Sequence, residues 1–424
     1  MELNQIKSYI SKNIYTGLIK TIFTLVFSAV LIPMIIKNIG LGRFGIISIV
    51  FLFSSFNGVV DLGLSKALIL LFGNKNENIK EITAIYILNL GIFLLIVIFG
   101  IIGFIFHINL LGKKIEINSE TLRIINFIAV ELLAFNLFNN LLRSSLEANF
   151  KLQVVNWGFL IQSSIINICW FVLSFFQVKI IFFLFIPIAS VLLTIIFHLI
   201  FLPGIFSQLE KPNKKSFKKV YRISFQFFKV GVLNSIHLPL IKYSIIIFLG
   251  ESRAIGIFEL STKLAGLANG LLAYLSGPLF SIVSKYHKSE SAYLWKLIKK
   301  TTKILIGLSL LAYVIFFIFK QFIILYFFKK YTNEIFFVIN LILIGYLVNA
   351  VSDGIQKYSL GSGKMNINYR VKFLGMLING TMFLIFYLTN NLDLVNITFA
   401  YSISLTFIGI FWFFLGRYKL NELS

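Results

Sequence analysis

Cysteine is almost absent from this chain. There is one, Cys169, in 424 residues, so no disulfide can staple the chain to itself. Acidic residues are scarce too: 16 Asp and Glu stand against 39 Lys and Arg, and all four types together make up 13% of the chain. A soluble domain devotes about a quarter of its residues to charge, so this one cannot clothe a water-soluble surface of its size. Apolar composition equally excludes a disordered chain. No glycine-rich loop of the phosphate-cradling type ending in Gly-Lys-Ser/Thr is present, so the chain hydrolyses no nucleoside triphosphate, and no His/Cys cluster has metal-ligand spacing. The longest connection on one side, His107 to Arg123, offers Glu116 and Glu120 as its acids, too little for a membrane-bound glycosyltransferase or polymerase. No cofactor, metal or nucleic-acid partner is expected.

What is present is hydrocarbon. Residues of the apolar classes make up 58% and aromatics 16%, with a mean hydropathy of +0.90. A membrane-spanning helix takes about 20 such residues, which gives about a dozen spans. Apolar runs lie near 14–36, 44–72, 82–106, 124–146, 154–176 and 180–202, then near 223–249, 256–284, 304–319, 335–360, 371–389 and 395–416. The sequence thus predicts an all-α, polytopic membrane protein of about 12 transmembrane helices. The run after Met1–Asn13 reads as a retained first span rather than a cleaved signal. Ser289 to Thr302 reads as an interfacial amphipathic helix.

The basic excess sets the orientation. Outside the spans, 22 Lys and Arg fall on the side of the amino terminus and ten on the other, so the positive-inside bias places both termini in the cytoplasm. Anionic phospholipid headgroups are the natural counter-ions. Residues 203–222 form the longest polar connection and fall at the midpoint, dividing an N-terminal six-helix bundle (1–202) from a C-terminal one (223–424) across a basic linker. Ile39-Gly40-Leu41-Gly42-Arg43-Phe44-Gly45-Ile46 returns about 210 residues later as Leu249-Gly250-Glu251-Ser252-Arg253-Ala254-Ile255-Gly256-Ile257, with one inserted residue. An even number of spans per repeat gives both halves one orientation, so the two bundles are related by a pseudo-two-fold axis along the membrane normal, an arrangement suited to alternating access.

Ionisable groups inside the spans carry the functional signal, because each costs about 2.5–3.5 kcal/mol to bury in a bilayer. Lys20, Asp61, Lys66, Glu131, Arg143, Lys229, Lys242, Glu259, Lys263, Asp353 and Lys357 lie there, with His198 and His237. Glu259 and Lys263, like Asp353 and Lys357, have the acid-first i,i+4 spacing of a helical ion pair, which is either structural or functional. Lys66, Arg143 and Lys357 lie within snorkelling reach of the interface. Lys20, Lys229 and Lys242 have no acid at i±3 or i±4, which points to a basic, wet cavity. Asp61 and Glu131 are isolated acids that either hold a coupling ion, Na⁺ or H⁺, or pair with a cation on a neighbouring helix. Pro33 and Pro239 are the candidate kinks.

Two six-span halves, the mid-chain basic linker and the pattern Pro33, Gly40, Phe44-Gly45 and Asp61-Leu62-Gly63 resemble the polysaccharide transporter family of the multidrug/oligosaccharidyl-lipid/polysaccharide exporter superfamily, and within it the Wzx-type O-antigen or capsule repeat-unit flippases. Gly256-Ile257 followed by a small-residue helix to Pro278 is similar to the matching segment of the second half. Arg43 departs from the acidic residue that the family often carries before the Phe/Tyr-Gly pair. The resemblance implies a flippase in a bacterial inner membrane that carries undecaprenyl-diphosphate-linked oligosaccharide outward by alternating access, alongside a polysaccharide polymerase and glycosyltransferases. Lys20, Arg143, Lys229, Lys242 and Lys263 would then be cavity cations for diphosphate or acidic sugars. Asp61, Glu131, Glu259 and Asp353 would be their charge partners or coupling-ion sites, with the energy source open among Na⁺, H⁺ and the membrane potential. The alternatives are a cation-coupled multidrug exporter, a lipid II flippase of the same superfamily and a non-transporting scaffold.

Overall fold

The computed structural model describes residues 3–54, 56–72, 78–107, 119–176, 178–202, 209–287, 291–327 and 332–421. Lys75, Lys113, Lys114, Glu116, Lys288, Lys329, Lys330 and linker residues 203–208 lie outside them. Every regular element among the described residues is helical. In chain order they are α1 (Leu3–Ile39), α2 (Leu41–Ser54), α3 (Asn57–Val60), α4 (Leu64–Phe72), α5 (Ile79–Ile105), α6 (Ser119–Ala148), α7 (Leu152–Phe175) and α8 (Ile180–Ile200). Then come α9 (Lys214–Ser244), a π-helical turn (Ile245–Leu249), α10 (Ser252–Tyr286), α11 (Ser291–Phe327), α12 (Thr332–Val351), α13 (Asp353–Gly361), α14 (Met365–Leu388) and α15 (Leu394–Asn421).

Among the described residues nine helices are long and apolar enough to cross a bilayer, or up to eleven when each of two bent pairs counts as one span. The expected single span over 44–72 is instead three helices, α2, α3 and α4. The chain turns between α3 and α4 at Leu62 (φ 50°) and Gly63 (φ 76°), and left-handed backbone cannot continue a helix. The run 335–360 is likewise divided, at Ser352, into α12 and α13. Of the expected interfacial helix at 289–302, residues 291–302 are the first part of α11, with Leu294, Trp295 and Ile298 buried, and 289–290 lie outside the described residues. Trp295 lies 5.7 Å from the Tyr358 ring of α13, so this face packs on protein rather than lipid.

The sequence repeat has a structural counterpart. Gly40 (φ 83°) separates α1 from α2, and Gly250 (φ 68°) separates the π turn from α10. Left-handed backbone at these two junctions is what glycine supplies without steric cost. A second pair follows at a similar offset. Phe150 (φ 58°) closes α6 and Gly363 (φ 78°) closes α13, each with a six-to-one bond, Lys151 N–H to Leu146 C=O (2.8 Å) and Lys364 N–H to Ser359 C=O (2.9 Å).

By packing, the chain forms two compact units, one of Asn38–Arg253 and one of Met1–Lys37 with Ala254–Ser424. Both divisions fall at the repeated glycine loops, whereas the division read from charge falls at 203–222. In the first unit α9 packs on α3, α4 and α5. A Cβ on Gly63 would stand 2.3 Å from Ser224 O and 2.7 Å from Phe228 N, and one on Gly231 2.8 Å from Gly58 O, so backbones touch there. Lys219 of α9 reaches Asn78 Oδ1 (2.7 Å) and Glu81 Oε1 (3.5 Å), which fixes the rotation of α9 about its axis. In the second unit α15 packs on α12 and α14, and α10 bends by 60° between Arg253–Gly270 and Leu275–Tyr286. Pro278 explains that bend: its ring removes a donor and clashes with the carbonyl four residues back, at Tyr274. Pro33 and Pro239, the two expected kink positions, lie inside α1 and α9.

Candidate functional site

A polar constellation lies in the Asn38–Arg253 unit, where α6, α7 and α8 meet at the ends that the charge count assigns to the cytoplasm. The tight α6–α7 turn at Phe150 folds α7 back along α6 and brings Arg143 to Gln162. Arg143 Nη2 donates to Gln162 Oε1 at 2.6 Å, its Nη1 reaches Asn140 Oδ1 at 3.5 Å, and the guanidinium lies 3.7 Å over the Phe159 ring. All these partners are neutral, and the side chain forms no ion pair among the described residues. Its Nε is buried without a hydrogen-bond partner.

His198 of α8 completes the cluster from the other side. It is fully buried, with Nδ1 2.8 Å from Asn139 Oδ1. Nε2 lies against α7 at Gly158, where a Cβ would stand 2.2 Å away, so glycine is required for the imidazole to fit. Asn139 Nδ2 is buried and unpartnered. Tyr86 Oη and Ser145 Oγ, 2.6 Å apart, extend the polar seam to α5. The arrangement holds a permanent cation rigidly between neutral dipoles, where a charge-assisted bond to an incoming anion is strong.

The other expected cations are dispersed. Lys229 is exposed on α9, its Nζ 4.9 Å over the Phe225 ring. Lys242 is buried further along α9, and Lys20 is half-buried on α1. Lys263 pairs with Glu259 at 3.9 Å on α10. Arg143, Lys229 and Lys242 therefore belong to one unit, Lys20 and Lys263 to the other.

The acids are largely engaged by their own unit. Asp61 accepts from Ser65 N–H (3.1 Å) and Ser65 Oγ (2.6 Å), capping the start of α4. Asp353 accepts from Ser276 Oγ of α10 and forms no ion pair with Lys357 among the described residues. Glu259 lies electrostatically close to Tyr346, whose hydroxyl hydrogen-bonds Tyr401. Glu131 is buried, its Oε1 unpartnered and facing α5 at Gly100. Among the described residues no three His, Cys, Asp or Glu side chains are grouped as metal ligands.

Sequence reasoning singles out Arg143 and names His198 beside it, and it misses Asn139, Asn140 and Gln162. The available signal was amide side chains within apolar runs, which need partners as charges do.

No protein-family model and no curated protein matches the chain. Solved structures do match over nearly its full length, with sequence identities too low to show more than a shared fold. A MATE protein in the straight conformation is 12% identical, with a TM-score of 0.74, covering 100% of this chain and 99% of the other. An outward-facing multidrug resistance MATE family transporter of the MOP superfamily is 12% identical at a TM-score of 0.72, covering 99% and 96%. A MOP superfamily transporter from Pyrococcus furiosus Vc1 (DSM3638), described as having a binding pocket of reverse polarity that suggests a different function, is 13% identical at 0.71, covering 99% and 96%. The chain has the fold of the MOP superfamily transporters, all-helical with two bundles.

Proposed function

We propose that this protein is an alternating-access transporter whose cargo is an anionic amphiphile, a polyprenyl-diphosphate-linked oligosaccharide carried from the cytoplasmic to the outer leaflet of a bacterial inner membrane. The observation that carries this reading is Arg143, a permanent cation within a membrane helix, oriented by Gln162, Asn140 and Phe159 with no carboxylate to neutralise it. The in-span acids support it from the other direction. Asp61 is held by Ser65 and Glu259 by Lys263, and the expected spans carry seven basic residues against four acids, so their balance is positive. A binding region for lipophilic cations calls for the opposite sign. The fold neighbour whose binding pocket is described as of reverse polarity, suggesting a different function, is a precedent for one scaffold carrying pockets of opposite polarity.

The test is deletion of the gene in its own host, with surface polysaccharide and lipid-linked oligosaccharide quantified by leaflet. Loss of surface polymer with repeat units trapped in the inner leaflet is the expected result. Normal glycan and unchanged lipid-linked pools, with new sensitivity to cationic drugs, would replace this reading with a multidrug exporter.

A further inference from the structure

The outward face of α9 carries a feature that neither the fold nor the Arg143 cluster uses. Its buried face, Ser216, Val220, Ser224, Phe227 and Val230, is set against the unit by the Gly63 contact and the Lys219 anchor. The opposite face presents Lys218, Tyr221, Arg222, Phe225 and Lys229, all exposed and spaced i, i+3, i+4, i+7 and i+11 along one stripe. Tyr221 and Phe225 stack at 5.7 Å and 17°, and Phe225 continues to Phe228 at 6.1 Å. Lys229 lies over Phe225. Lys218, Arg222 and Lys229 form no ion pair among the described residues, and no acid lies on this stripe.

Helix length gives the depth of the stripe. α9 with its π turn spans 36 residues, Lys214–Leu249, about 54 Å at 1.5 Å per residue, against about 30 Å of bilayer hydrocarbon. Counting about 20 residues back from Leu249 ends the hydrocarbon at Lys229, so the stripe lies at headgroup level.

We infer that this face of α9 docks the headgroup of a lipid-linked diphosphate sugar before transport, the three cations holding the diphosphate and the stacked Tyr221–Phe225 pair receiving the apolar face of the first sugar ring. The inference rests on the transport reading above and names where its cargo first binds. Arg222 supplies a planar fork for phosphate oxygens, and the two lysines supply mobile point charges on either side of it. A bare phospholipid headgroup has no sugar ring to cover the aromatic pair, so the composite of stack and cations favours the glycosylated diphosphate.

The test is binding of a polyprenyl-diphosphate sugar to the full chain in phosphatidylcholine nanodiscs. It compares the wild type, the triple variant K218Q/R222Q/K229Q and the equal-charge control K296Q/K300Q/K303Q on α11. Each neutralised charge on the stripe weakens binding about fivefold, so the triple variant loses about a hundredfold, while the control stays within twofold of wild type. Excess phosphatidylglycerol leaves wild-type binding in place. Unchanged binding in the triple variant, an equal loss in the control, or displacement by phosphatidylglycerol overturns the proposal, the last by reducing the stripe to an ordinary headgroup contact. If the triple variant does not fold, a benzophenone side chain at Tyr221 in the otherwise native chain decides: it labels the diphosphate lipid ahead of phospholipid, and the reverse order overturns the proposal. Binding without any translocation in proteoliposomes would refute the transport reading and leave the docking face standing. Unaltered translocation kinetics in the triple variant would do the opposite.

Discussion

Replacing Gly63 by Ala tests whether α9 is seated by backbone contact. Two independent costs meet at this position. Its φ of 76° is left-handed, which costs an L-residue roughly 1–2 kcal/mol. A Cβ would also stand 2.3 Å from Ser224 O, 2.7 Å from Phe228 N and 2.8 Å from Phe227 Cβ, and forcing atoms into a filled site costs about 1–3 kcal/mol. The nearest two are backbone atoms of α9, so no rotamer change relieves them. The total is about 2–5 kcal/mol, a large share of the roughly 5–15 kcal/mol that holds a typical domain. Gly40→Ala is the internal control, since Gly40 has φ 83° but nothing within 4 Å of the added methyl, and it bears the first cost alone. Gly103→Ala bears neither. The assay is the half-life of detergent-purified protein at elevated temperature, read by size-exclusion fluorescence. The expected order of stability is Gly103→Ala, then Gly40→Ala, then Gly63→Ala. A Gly63→Ala protein as long-lived as Gly40→Ala would refute the close seating of α9 on the Asp61–Gly63 turn.

Three further outcomes are expected. Gly158→Ala drives a methyl into the His198 imidazole and costs about 1–3 kcal/mol, whereas in combination with His198→Ala the two costs are less than additive. A thermal-stability double-mutant cycle with no coupling would contradict the contact. Asp61→Ala removes the cap on Ser65 and costs about 0.5–2 kcal/mol, whereas Asp61→Asn retains most of that stability and leaves transport intact. Abolished transport in the Asn variant would instead make Asp61 a coupling-ion site. Arg143→Lys keeps the charge but loses the fork shared by Gln162 and Asn140, so translocation assays should show weaker apparent substrate affinity with the protein still folded. Wild-type kinetics in that variant would remove Arg143 from the substrate path.

Much of the architecture is legible in the sequence because hydropathy and charge are local quantities. Long apolar runs give α5, α7, α8 and α15 close to their observed extents, since any 20 such residues satisfy their backbone by forming a helix. Gly40 and Gly250 stand out as a repeat because a left-handed junction accepts few other residues. The candidate site was legible only in its ionisable members. Arg143 and His198 are conspicuous in apolar runs, whereas Asn139, Asn140 and Gln162 acquire significance only when α6, α7 and α8 align.

By itself, then, the sequence determined that the chain is helical, membrane-embedded, built in two similar halves and predominantly basic, because each of these follows from composition within a window or from a repeat along the chain. Tertiary structure decided the rest. It broke the run at 44–72, where the Asp61–Gly63 turn receives the backbone of α9. It grouped Met1–Lys37 with the second half and α9 with the first. It also gave Asp61 a cap to make and left Arg143 without an acid. Packing partners about 160 residues away along the chain, as Gly63 is from Ser224, are chosen by shape across space, and no window of hydropathy carries that information.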